Sequence, residues 1–152
     1  MPQMQHKRWI ATTKVLLAVL FLACGCCIYL LFRNKSLNIY QWCVSLGVSD
    51  IVDSYRCYVQ DCSIPDFVRY SLPDGLYSAS YILLMDAIWS EGKCFTKYVI
   101  VSLVPVITIA SEILQYVGLL RGTFDVSDMV CYTTPALVYT GILITSQLLF
   151  NN

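Results

Sequence analysis

Six polar residues in an otherwise apolar chain have the types and spacing to do chemistry: Asp74, Glu112, Gln115, Arg121, Asp125 and Asp128. Carboxylates are the hard oxygen ligands that Mg²⁺ takes, and Mg²⁺ commonly bridges such groups to phosphates. In that setting Arg121 would bind a phosphate, with Glu112 or Asp125 as metal ligand or base. Glu112 and Gln115 are three residues apart and so share a helix face. Asp125 and Asp128 repeat the spacing at a helix start, where carboxylates complement the macrodipole. Arg121 is the expected counter-ion, since a buried carboxylate needs one. Taken singly, Asp125 or Ser127 reads as the cap of the helix that follows, and Glu112 as a neutral acid bonded to Gln115 or a backbone group. Taken together the group reads as functional, because an ionisable side chain inside a membrane span costs at least ~2.5–3.5 kcal/mol.

Other chemistries lack their parts. The single histidine, His6, leaves no HExxH, Ser-His-Asp or Cys-His pair to assemble. Lys and Arg number 10 and so do Asp and Glu, with no basic tract, so a nucleic-acid footprint is missing. Cys24, Cys26, Cys27 and Cys131 fall in apolar stretches and act as small hydrophobes. Cys24, Cys26 and Cys27 cannot share one helix face, so they make no metal motif. Cys57 and Cys62 would pair only if their loop faced an oxidising compartment.

The elements that must position the six residues follow from composition. Hydrophobic residues make up 57% of the chain and charged residues 13%, too little polar surface to cover a soluble core. A spanning helix needs ~20 mostly apolar residues. Four windows qualify: Val15–Phe32, Tyr70–Trp89, Tyr98–Leu120 and Met129–Phe150. The sequence therefore predicts an all-α, four-transmembrane-helix bundle, residues 15–152, behind an N-terminal flank, residues 1–14. The first span follows His6, Lys7 and Arg8, as a signal peptide would, and Phe21-Leu22-Ala23-Cys24 faintly matches a cleavage site. Its apolar run to Phe32 is longer than a signal core, so it reads as an uncleaved anchor.

Only the Asn34–Arg69 connection is long. Within it Ile39, Trp42 and Leu46, then Ile51, Tyr55, Tyr58 and Val59, recur at three and four residues. That predicts an amphipathic helical segment lying on the interface or capping the bundle. Trp9, Trp42, Tyr70 and Trp89 fit an interfacial aromatic belt. In an up-down bundle, the start of span two, the end of span three and the start of span four share one side of the membrane. The six polar residues therefore converge at one end, and Asp86 and Glu91 lie at the other. With the N-terminus inside, each side holds five Lys or Arg; the basic flank of the first helix breaks the tie and puts both termini in the cytoplasm.

The third and fourth spans carry Ser111-Glu112-Ile113-Leu114-Gln115 and then Arg121-Gly122-Thr123-Phe124-Asp125-Val126-Ser127-Asp128. This resembles the VanZ-like family of small bacterial membrane proteins, with its Glu-x-x-Gln near a helix end, a Gly-Arg-type pair and an Asp-x-x-Asp. Leu72-Pro73-Asp74-Gly75-Leu76 is similar to the family's entry into the second span, and the resemblance covers roughly residues 70–145. Two departures mark a divergent branch. Tyr132, Thr133, Thr134 and Pro135 stand where many members have Asn and then Gly, and Arg121 precedes Gly122 rather than following it. The resemblance implies a multi-pass protein of the bacterial inner membrane. The first functional expectation is action on, or binding of, a cell-envelope component; the carboxylates' chemistry points to a lipid-linked phosphate, with Mg²⁺ as the cofactor to test. The competing expectation is a non-catalytic accessory subunit packed against a larger membrane protein. A transporter fits less well, since the polar residues sit at one end and no inverted repeat is visible.

Overall fold

The structure, a computed structural model, describes residues 2–59, 61–90 and 95–150. Glu91 and Lys93, which the sequence places in the turn between the second and third spans, lie outside the described residues. All seven described elements are helices: α1 (Pro2–Phe32), α2 (Asn38–Ser45), α3 (Ser49–Val59), α4 (Asp66–Tyr70), α5 (Leu72–Ile88), α6 (Phe95–Tyr116) and α7 (Val126–Phe150). Three stretches are long and apolar enough to cross a membrane: Arg8–Phe32 of α1, Phe95–Tyr116 and Val126–Leu148. These findings are consistent with a multi-pass membrane protein.

The second predicted span is the helix the others surround. α5 has 17 residues and packs on α1, α6 and α7 alike. Its buried residues are Pro73, Gly75, Ser78, Ser80, Ile82, Asp86 and Ala87. These are mostly small side chains, which let neighbouring backbones come close, as in helix association within lipid. Gly25 of α1 sits where a Cβ would lie 3.3 Å from the Pro73 carbonyl, and Gly75 where it would lie 3.1 Å from the Cys131 carbonyl of α7. Pro135 cannot donate to Cys131, its i−4 neighbour, so that carbonyl is left to face Gly75. The Ser80 hydroxyl donates to the Ala18 carbonyl of α1 at 2.8 Å, which fixes the antiparallel α1–α5 register. Meanwhile Leu16, Leu20, Leu103, Ile107, Leu137 and Ile142 point outward. So contiguous an apolar exterior suits a hydrocarbon solvent and not water.

Several predicted boundaries move. The first helix begins at Pro2 and runs through Lys14, whose charge is met by a carboxylate on α5. α6 stops at Tyr116, short of the predicted Leu120. The Gly118 N–H donates to the Gln115 carbonyl and the Leu119 N–H to the Leu114 carbonyl, with Gly118 at φ 76°. That is a Schellman stop, which needs the left-handed conformation glycine supplies. Glu112 therefore lies one turn from the helix end, not two.

The long connection is helical, as its periodicity predicts, but its apolar residues do not cap the bundle. Trp42, Leu46, Ile51, Tyr55 and Tyr58 are exposed, and Tyr40 is the buried residue of α2. The α2–α3 pair is held to α1 by Arg56, whose guanidinium donates to the Leu30 and Arg33 carbonyls, both at 2.6 Å. These carbonyls in the last turn of α1 have no helical donor, so Arg56 acts as its cap. Lys35 bonds Asp53 at 2.7 Å, and the Tyr40 hydroxyl adds a second donor at 3.0 Å. The Lys35 hydrogen bond holds the Asp53 carboxyl below its ordinary value, and the same bond raises the Lys35 ammonium. Cys57 and Cys62 are both exposed free thiols, not a disulfide.

Candidate functional site

The end of the bundle where α5 begins, α6 ends and α7 begins brings together Asp74, Glu112, Asp125 and Asp128, which lie near enough to act on one another's charge. Each is placed by an ordinary device of local structure. Asp74 stands in the first turn of α5, just after Pro73, which suits a helix start. Asp125 precedes α7 and caps it: its Oδ1 accepts the Ser127 N–H at 2.7 Å. Asp128 lies in the first turn of α7. Glu112 is 5% exposed and its Oε2 accepts the Asp125 N–H at a long 3.4 Å, tying the end of α6 to the start of α7.

Gln115 shares the Glu112 face but serves the turn. Its amide lies over Gly122, where a Cβ would stand 2.5 Å from Oε1, and Gly122 holds φ 148°. That backbone angle is one L side chains rarely adopt, which explains the glycine, and the flexible end of Gln115 fills the space it leaves. The Tyr116 and Phe124 rings close the same turn edge-to-face at 5.2 Å.

Arg121 is not the counter-ion. It is exposed, and among the described residues it forms no ion pair. Gly118 ends α6 early and turns the chain outward, so position 121 faces away from the carboxylates. The cation at this end is Arg33, the residue just after α1, acting through a phenol. The Tyr29 hydroxyl donates to Asp74 Oδ1 at 3.0 Å and accepts Arg33 Nη2 at 3.4 Å. The Arg33 guanidinium also lies 4.8 Å over the Tyr29 ring and 5.1 Å over Tyr70. Tyr132 of α7 is a second phenol near Asp74. Asp128 Oδ1 is buried without a hydrogen-bond partner.

The Mg²⁺ chemistry needs several oxygens aimed at one point. Among the described residues no three His, Cys, Asp or Glu side chains converge as a metal-holding set. Asp125 and Glu112 instead accept backbone N–H groups, and Asp74 accepts a phenol. The described residues do not form a cage for the ion.

A second polar centre, at the far end of the bundle, was missed as a unit in the sequence. Asp86 of α5 is 4% exposed and takes Lys14 of α1, Lys97 of α6 (2.6 Å) and the Tyr139 hydroxyl of α7 (2.8 Å). One carboxylate thus ties together the four longest helices. The sequence signal was available, since the start of span one, the end of span two and the start of span three share a side of an up-down bundle. Lys14, Asp86 and Lys97 all sit at that level.

In comparisons with protein-family models, curated proteins and solved structures, none matches this chain.

Proposed function

We propose that the protein is a VanZ-like, four-span protein of a bacterial inner membrane whose carboxylate end binds the polar head of a cell-envelope component. The observation that carries the reading is the four carboxylates of α5, α6, the α6–α7 turn and α7 gathered at one bundle end around Glu112. Four acids against one nearby guanidinium form a negative patch, and acids inside a span call for a functional account. α5 serves as the fourth crossing: 17 residues at 1.5 Å each span about 25 Å, close to a hydrocarbon core once polar ends are added. The exposed apolar residues of α2 and α3 then rest in the headgroup layer. Both termini lie on the cytoplasmic side.

The reading is one of binding more than catalysis, since the acids are engaged by backbone and phenol donors and no nucleophile–base pair stands among them. It is tested by extracting the protein with its surrounding lipid into polymer-bounded discs and identifying the lipids by mass spectrometry. One headgroup class should be enriched about tenfold over bulk membrane, and the enrichment should vanish in a folded Glu112→Gln/Asp128→Asn variant, a difference of roughly 1.4 kcal/mol. Bulk composition around both proteins would contradict the reading. A second reading, an accessory subunit of a larger membrane complex, is favoured by α7. Among its described residues only Cys131 is buried, leaving a long face free for a partner helix.

A further inference from the structure

A cavity of about 390 Å³ opens between α1, α2 and α5, beside the carboxylate cluster. Its size lies within the range of small-molecule sites. Leu22 of α1, Tyr77 of α5, and Leu37, Ile39 and Trp42 from the α2 segment make its walls apolar. At one point the wall is polar: Asp74 lines it, with the Tyr29 hydroxyl on Asp74 Oδ1. Among the described lining residues Asp74 is the only carboxylate, and no Lys or Arg lines the cavity.

From this geometry we infer that the cavity is a binding site for a bilayer lipid whose headgroup carries an ammonium, with its chain along the α1–α5–α2 walls and its head at Asp74. Three features select that occupant. The walls from α1 and α5 lie within the membrane and those from the α2 segment at its headgroup layer, so a chain can enter sideways without crossing water. A carboxylate accepts several hydrogen bonds, so Asp74 can take an ammonium while keeping its phenol donor. Asp128 and Glu112 add their charge to that of Asp74 against the single guanidinium of Arg33, so the balance at this end favours a cationic head over an anionic one. The inference rests on α1 and α5 lying in the membrane, as proposed above.

Trp42 forms one wall and is 66% exposed, so it reports occupancy. Trp9 and Trp89 are the other two tryptophans, and a Trp9→Phe/Trp89→Phe protein isolates its emission. In maltoside micelles, bromododecylamine should quench Trp42 saturably. Dodecylamine should reverse the quenching at a concentration about tenfold below that needed by dodecanoate. Butylamine, which has the head without the chain, should not reverse it. Asp74→Asn should bring amine and carboxylate within about twofold of each other, and Asp74→Glu should keep the preference. Equal displacement by amine and carboxylate, displacement by butylamine, or a preference that survives in Asp74→Asn overturns the site. The disc-lipid measurement reads the Glu112 and Asp128 variants instead, so the two readings fail separately.

Discussion

Asp86→Ala should destabilise the protein by about 3–5 kcal/mol, the usual result of removing one partner from a buried ion pair. The expectation follows from what is left behind. Lys97 is nearly enclosed, with 13% of its side chain exposed, and it loses its carboxylate at 2.6 Å. Lys14 keeps a third of its side chain exposed, so solvent screens its share and the loss comes mainly through Lys97. The Tyr139 hydroxyl loses its acceptor too. Since Asp86 is where α1, α5, α6 and α7 meet, the damage reaches every helix pair at that end. An Asp86→Leu/Lys14→Met/Lys97→Met protein should recover most of the loss, because no charge is then stranded. Unfolding in mixed micelles with rising SDS measures both. A single variant within about 0.5 kcal/mol of the parent would show that the knot contributes nothing beyond an ordinary surface pair.

Glycines on α5 and α7 should respond in opposite senses. Gly75→Val puts a Cβ 3.1 Å from both the Cβ and the carbonyl oxygen of Cys131, and the carbonyl belongs to the backbone of α7. No flexible side-chain tip can swing away, so the helices must separate, and overpacking of this kind costs about 1–3 kcal/mol. Gly141, within α7, has nothing within 4 Å of an added Cβ. Gly141→Ala should be stabilising by roughly 0.5–1 kcal/mol through helix entropy alone. The same detergent unfolding assay reads both. Equal effects of the two substitutions would mean that α5 and α7 do not approach closely at Gly75.

Much of this architecture is visible in the sequence because hydropathy is a one-dimensional signal. The apolar runs beginning near Val15, Tyr98 and Met129 all correspond to long helices, and the three- and four-residue recurrence from Ile39 to Val59 corresponds to α2 and α3. The meeting of Asp74, Glu112, Asp125 and Asp128 follows from counting which helix ends share a side. Reading failed where the outcome depends on one backbone angle or on a partner in another helix. Arg121 looked like a counter-ion by proximity in sequence, but Gly118 turns the chain before it and Arg33, just after α1, takes the role through Tyr29. Glu112 seemed deep in a span because the apolar run continues to Leu120, whereas hydrogen bonding ends the helix at Tyr116. Lys14 read as a flank because its partner, Asp86, lies 72 residues away. The cavity beside Asp74 has no sequence signature at all, since its walls come from α1, α2 and α5.

In the proposed topology α5 crosses the membrane, with the carboxylate cluster at one face and the Asp86 knot at the other. Single cysteines placed at Ser63, Ser90 and Thr123 of a cysteine-free protein test it, since all three positions are exposed. In intact cells an impermeant maleimide should label Ser63→Cys and Thr123→Cys, and should reach Ser90→Cys only after the membrane is opened. Labelling of Ser63→Cys and Ser90→Cys from the same side would contradict the account, because α5 would then lie against the membrane without crossing it.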